Sequence, residues 1–596
     1  MHPIAPLLLP LLVSCQDPSA QEAAAKKPVA RLAEIRIKGP LEDAPEKPFA
    51  LFGSAPKSFR SFLRRIEKVK DDAEVKGLVL RFDEGGLGLA KSAEVRRVLD
   101  RVRGSGKKVH ARVESLGLGE YLVACGCDEI SLEPAGDVIL PGLRIELTYL
   151  RDLLDKIGVV ADVVHIGEYK TAFEDFYLRE MSPAQRESIE AILDDVYAHL
   201  VEAIAKGRRL TPEQVKAAVD TAIFTPTQAR ARKLVDVVEY EDEFKARLAG
   251  AYGEAVSFVE DYGKKGRKEI DFEEVDPITA FLQVFGEMFK KPKPPEGDKI
   301  ALVYANGMIV TGKSGEASPF GGGTMGSRTM VEAIREAAAD DTVKAIVMRV
   351  DSPGGSGLAS DEIWREVVRA KEKKPFVVSM ADVAGSGGYY ISMGATAIVA
   401  EPTTITGSIG VVAMKPVLGG LYQKIGVNPQ SLQRGRRAGL MTLDTPFSSE
   451  ERDALRKFME AFYGEFVGKV AEGRRTTPEK IDPIARGRIW SGRRAVELGL
   501  VDRIGGLDDA IALAKEKAGL DPTAALPLYE LPKPRSIAEL LEEGGIPFLK
   551  TDLAGALGGL EAFPAVRERA LRAAETLAAL ANKPALALMP FSFVLR

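Results

Sequence analysis

Two glycine-flanked segments in the second half of the chain have the residue types needed for acyl transfer: Asp351-Ser-Pro-Gly-Gly-Ser-Gly357 and Ala384-Gly-Ser-Gly-Gly-Tyr-Tyr390. Each follows a β-rich run, Ala345 to Val350 and Pro375 to Met380, and each leads into a helical pattern. A serine between glycines at a strand-to-helix turn can expose its hydroxyl and lie in the positive field of the helix N-terminus. That makes Ser386 a candidate nucleophile. The N–H of Gly387, with an N–H from Gly354 or Gly355, could hold the oxyanion of a tetrahedral intermediate. Either motif alone could equally be a glycine turn of an α/β sheet.

An internal repeat separates these readings. Gly39 matches Gly307, Asp83 matches Asp351, Pro134 matches Pro402 and Gly167 matches Gly435, all 268 positions apart. Further on the spacing becomes 266, aligning Gly207-Arg-Arg-Leu-Thr-Pro-Glu213 with Gly473-Arg-Arg-Thr-Thr-Pro-Glu479. In this register Ser386 faces Leu118, Gly355 faces Leu87, and Ser408 of Thr406-Gly-Ser-Ile-Gly410 faces Leu140. Residues needed by the fold would be needed in both copies, so these three are assigned to chemistry.

A serine at its ordinary pKa needs a base. The four histidines are His2, His110, His165 and His199, so no imidazole lies in the second copy, and His110 or His165 could act only across the repeat boundary. The first copy instead carries Gly167-Glu-Tyr-Lys170, with Ala438 opposite the lysine. One copy keeps the lysine and the other the serine. A lysine serves as base only when desolvation makes it neutral, and Ala172, Phe173 and Phe176 could supply apolar surroundings.

These residues resemble the signal peptide peptidase A, or protease IV, family in its long two-domain form, over about Ala33 to Leu520. The family's Gly-x-Tyr-Lys corresponds to Gly167–Lys170, its Ser-Pro-Gly-Gly to Ser352–Gly355, its Ser-Gly-Gly-Tyr to Ser386–Tyr389, and its Thr-Gly-Ser-Ile-Gly to Thr406–Gly410. The resemblance implies Lys170 as general base, Ser386 as nucleophile, Gly354, Gly355 and Gly387 around the oxyanion, and Ser408 orienting the lysine amine. It implies an α/β fold of tandem duplicated crotonase/Clp-like β-α superhelix domains, assembled as a homotetrameric bowl. Expected substrates are cleaved signal peptides and other unfolded apolar segments, with no metal or cofactor. Two rival readings are a crotonase-like acyl-CoA enzyme, which leaves the Ser/Lys reciprocity unexplained, and a non-catalytic envelope scaffold.

The elements that must position these residues alternate β and α with largely apolar strands, as in parallel α/β units. Gly77–Phe82 is expected as a strand, with helices over Ala90 to Val102 and Ser360 to Lys371. The domain plan is residues 1–15 as a signal segment, 16–32 as a tether, 33–261 and 299–521 as the repeats, 262–298 as a linker with a helical patch at Ile278 to Phe289, and 522–596 as an extension with a helical stretch at Ala565 to Leu580.

At 596 residues, 45% hydrophobic and 28% charged, the chain is an ordinary multidomain globular protein. Its 82 Lys plus Arg against 86 Asp plus Glu leave no basic footprint, so nucleic acid is not expected as a partner. Three cysteines suit neither a disulfide framework nor a four-ligand zinc site, and Cys125 and Cys127 read as core. The start resembles a lipoprotein signal ending Leu12-Val-Ser-Cys15, with Cys15 acylated and the catalytic domains held at the periplasmic side of the cell envelope. The prolines Pro3, Pro6 and Pro10, and the lack of Lys or Arg ahead of the apolar run, leave a signal-anchor remnant or a mis-assigned start as alternatives.

Overall fold

In the computed structural model, the described residues are 29–38, 41–43, 58–83, 87–264, 294–315, 323–533 and 586–588. Cys15, the tether, the linker's helical patch and the Ala565 to Leu580 stretch lie outside them.

Each repeat is built on a parallel sheet. In the first, strands Val29–Ile37, Gly77–Phe82, Lys108–Leu116 and Glu129–Ile139 lie side by side, and Ala255–Val259 closes the free edge of Val29–Ile37. In the second, Lys299–Asn306, Val343–Ser352 and Phe376–Gly385 follow the same order, with Leu528–Leu531 on the Lys299 edge and Ala397–Ala400 and Ile405–Gly407 beside Phe376–Gly385. The strands are rich in Val, Ile and Leu because helices cover the sheets. Val347, Met348 and Val350 are fully buried, as are Leu78 and Leu80.

The expected Gly77–Phe82 strand has those bounds, and the expected helices appear as Leu89–Gly104 and Gly357–Lys371. The repeat also extends to long helices, Pro183–Arg208 and Ser449–Gly473. Both begin at a serine N-cap: Ser182 accepts from the Gln185 N–H and Ser448 from the Glu451 N–H, satisfying donors that a helix start leaves orphaned.

Two features join the copies. Val160–Ile166 of the first pairs antiparallel with Val411–Val417 of the second, Val411 opposite Ile166 and Val417 opposite Val160. Beneath the Asp351 turn, fully buried Arg349 donates to Ser379 and Glu94 and pairs with Asp43, while Lys91 pairs with Asp43, Asp351 and Asp382. Charges this deep persist only when compensated, and the partners come from both copies. Burial pushes the Asp351 carboxyl up to about 7.

Candidate active site

Ser386 occupies the turn between the strand Phe376–Gly385 and the short helix Gly387–Ser392. Its backbone has φ 54° and ψ −111°, a conformation that costs a non-glycine residue on the order of 1–3 kcal/mol. The surroundings impose it. The Ser386 N–H donates to the Gly407 carbonyl at 2.8 Å, and its carbonyl accepts from the Tyr390 N–H at 2.8 Å. Fully buried Tyr389 donates its hydroxyl to the Leu500 carbonyl at 2.9 Å, pinning the helix that follows.

Lys170 comes from the first copy, four residues beyond the strand that pairs with Val411–Val417. That pairing carries the Gly167–Lys170 turn onto the second copy. There the Lys170 Nζ donates to Ser386 Oγ at 2.7 Å, Ser408 Oγ at 2.9 Å and the Ser408 carbonyl at 3.0 Å. Ser408 is itself held at φ 52°, its N–H donating to the Arg488 carbonyl at 2.7 Å. Just beyond Lys170 in the chain, Ala172 and Phe173 join Ala161, Val412 and Met414 in a buried apolar cluster, with Phe176 against them. Phe173 and Phe176 meet edge to face at 6.2 Å. Burial alone, with no carboxylate partner, holds the Lys170 amine well below its usual 10.5. A neutral amine fully out of water and bonded to a serine hydroxyl can accept that serine's proton.

The glycine strand Gly354–Ser356 runs past the serine. A Cβ on Gly387 would lie 3.1 Å from Gly355 N and 3.1 Å from Gly354 Cα, so the Gly387 and Gly355 backbones are in contact. Gly354 donates its own N–H to Ser352 Oγ at 3.2 Å, and Ser352 Oγ donates to the Gly307 carbonyl. Both glycines expected near the oxyanion therefore lie against Gly387, and the Gly354 N–H is taken by Ser352. Gly355 has φ 154°, and a Cβ there would fall 2.1 Å from the Ile309 carbonyl.

His110 and His165 are engaged elsewhere: His110 Nδ1 lies 2.7 Å from Glu129 and its Nε2 3.0 Å from the Tyr252 hydroxyl, while His165 Nδ1 lies 3.0 Å from the Gly167 carbonyl. Cys125 and Cys127 are buried free thiols, as read from the sequence.

Sequence reasoning passed over one residue, Gly487. At φ 83°, it packs so tightly that a Cβ would lie 2.4 Å from the Lys170 N and 2.5 Å from its Cα. Its neighbours complete a clamp: the Arg486 carbonyl accepts from the Tyr169 N–H, and the Gly487 N–H donates to the Ile409 carbonyl. The signal was present in the repeat, because at the 266 spacing Gly487 faces Thr221. The first copy keeps the scaffold without the chemistry: the Leu140 N–H donates to the Ala222 carbonyl just as Ser408 donates to Arg488.

A duplicated α/β chain with a strained serine beside a glycine strand and a desolvated lysine defines a serine-type hydrolase. Comparison with known proteins narrows the class. Residues 101–254 and 369–521 match Peptidase family S49. The chain is 31% identical over 523 residues to "Serine protease SPPA, chloroplastic" of Arabidopsis thaliana, covering 87% of this chain and 74% of that protein. It is 34% identical over 465 residues to "Protease 4" of Salmonella typhi, covering 78% and 72%, and 29% identical over 461 residues to "Protease 4" of Haemophilus influenzae, covering 76% and 71%. The chain belongs to peptidase family S49, and is a serine-type peptidase.

Proposed function

We propose that the chain is an endopeptidase working through a Ser386–Lys170 dyad split between its two repeats, residues 33–261 and 299–521. The single observation that carries this reading is the 2.7 Å bond from Lys170 Nζ to Ser386 Oγ, in a site where burial holds the amine well below its usual 10.5. Lys170 takes the hydroxyl proton as Ser386 attacks a peptide carbonyl. The Gly355 and Gly387 N–H groups stabilise the oxyanion, and Lys170 then protonates the leaving amine. Water attacks the acyl-enzyme with Lys170 again as base. Ser408 fixes the amine on the serine by offering two oxygen acceptors.

The substrates are unfolded apolar peptides, cleaved signal peptides among them, acted on at the cell envelope with the N-terminal segment as membrane anchor and the catalytic domains in the periplasm. Among the described residues no helix is long and apolar enough to cross a membrane.

The assembly is a homotetramer. Within one chain Val160–Ile166 pairs with Val411–Val417. A shift of 268 turns those segments into residues 428–434 and 143–149. Residues 428–434 are exposed and belong to no ladder among the described residues, with Leu432 fully exposed, and in the assembly they meet residues 143–149 of the next chain.

Turnover of an unstructured apolar peptide by purified wild type, Ser386→Ala and Lys170→Ala tests the dyad. Activity is expected in the wild type alone, and activity in either variant overturns the assignment.

A further inference from the structure

The Val160–Ile166 and Val411–Val417 ladder extends through an unexpected strand. Leu586–Leu588, near the C-terminus, pairs antiparallel with Gly354–Ser356, placing Leu588 opposite Gly354, Ala587 opposite Gly355 and Leu586 opposite Ser356. On its other side Leu586 pairs with Val412. The sheet therefore runs Thr324–Gly326, Met308–Val310, Gly354–Ser356, Leu586–Leu588, Val411–Val417, Val160–Ile166.

Without the tail strand this sheet falls into two parts. One ends at the glycine strand beside Gly387, and the other at the strand whose Val412 packs with Ala172 and Phe173, two and three residues beyond Lys170. Between them is a slot one strand wide. Both walls offer backbone N–H and C=O groups, which an extended peptide would pair with by strand addition, whatever its side chains. The slot runs beside the candidate oxyanion glycine, Gly355. A peptide lying in it has its backbone alongside Ser386, as cleavage of an internal bond requires. The strand that fills it, Leu586–Leu588, belongs to the sequence Ala585-Leu-Ala-Leu-Met-Pro-Phe-Ser-Phe-Val-Leu595, which has no charged residue and so has the composition of the unfolded apolar peptides proposed as substrates.

The geometry points to Leu586–Leu588 as a built-in competitor that occupies the substrate-backbone slot between Gly354–Ser356 and Val411–Val417, so that peptide enters only when the tail leaves. This inference rests on the reading of Ser386 as nucleophile. Because the tail is part of the same chain, its local concentration stays high however dilute the protein is. Its hold is limited to a few net hydrogen bonds, which keeps it displaceable.

The test uses the full chain carrying Ala587→Pro, which disrupts the ladder by removing one N–H and fixing φ. Hydrogen exchange is measured at the amides of residues 354–356 and 411–417 in a Ser386→Ala background, so this readout needs no turnover. Exchange is expected to quicken about tenfold with Ala587→Pro, and an added peptide of residues 583–596 should restore protection. In the Ser386 protein, Ala587→Pro is expected to raise kcat/KM on a short apolar peptide several-fold, chiefly through KM. Unchanged exchange together with unchanged kinetics overturns the tail as competitor and leaves the dyad standing. Faster exchange in a protein that neither turns over peptide nor is labelled at Ser386 keeps the tail in the slot and overturns the dyad.

Discussion

Lys170 and Ser386 are 216 positions apart in the chain, yet Lys170 Nζ and Ser386 Oγ meet at 2.7 Å. Each belongs to a different copy of one duplicated unit, and each copy holds an apolar residue where the other holds its functional one. The antiparallel pairing of Val160–Ile166 with Val411–Val417 turns two incomplete sites into one.

Removing either half of the pair should abolish turnover. Ser386→Ala and Lys170→Met are each expected to lower kcat by about 10³-fold or more, and combining them should cost little beyond either alone, because the groups act as a unit. Steady-state turnover of the three variants checks this, and additive losses would mean independent roles.

The role proposed for Ser408 is exerted through the lysine, whose amine it bonds. Ser408→Ala removes one acceptor of the amine while leaving the Ser408 carbonyl bond, so a fall in kcat of roughly 10- to 100-fold is expected with little change in KM. The midpoint of the pH–rate profile should move as well. A variant with lower kcat and an unmoved midpoint would make Ser408 a structural residue only.

The pH dependence follows from Lys170. Its folded value lies well below 10.5 because of burial, and in the proposed dyad the neutral form is the base, so kcat/KM should rise with pH through that folded value and be level before pH about 10.5. Stability is linked with the same sign. Between the folded and unfolded values the unfolded chain holds the extra proton, so this group's contribution grows with pH and is lost as pH falls through the folded value. Lys170→Met lacks that titration. Denaturant unfolding of both proteins from pH 7 to 10 should therefore show the wild type gaining on the variant as pH rises.

Gly487→Ala tests the clamp on the lysine turn. The new methyl has no room against the Lys170 backbone, and φ 83° disfavours any side chain there. The substitution should cost about 1–3 kcal/mol and, by moving Lys170 relative to Ser386, lower kcat by at least about 10²-fold. Thr221→Ala, at the matching position of the first copy, should leave kcat unchanged.

Breaking the buried cluster should loosen the copies from one another. Arg349→Ala strands Glu94 and Asp43 without their cation, for an expected loss of about 3–5 kcal/mol. Thermal unfolding checks the loss, and a change under about 1 kcal/mol would mean that water or Lys91 replaces the guanidinium.

Much of the site was legible because duplication supplies an internal control. Leu118 against Ser386, Leu140 against Ser408 and Ala438 against Lys170 separate chemistry from scaffold without any second sequence. Strands such as Gly77–Phe82 were equally plain, since the buried part, Gly77–Leu80, has to be apolar on both faces. Gly487 stayed hidden because glycine serves many turns, and only the approach of the Lys170 backbone shows which constraint this one meets.

By itself, then, the sequence determined the duplication, the parallel α/β units and the residues proposed as nucleophile and base, all of which depend on residue type and spacing. Tertiary structure alone decided that Lys170 reaches Ser386 within one chain, that Gly487 packs against the Lys170 backbone, and that a strand from the far C-terminus lies against the glycine strand. Those outcomes depend on antiparallel register and on backbone approaches of about 3 Å between segments hundreds of residues apart, which no local pattern encodes.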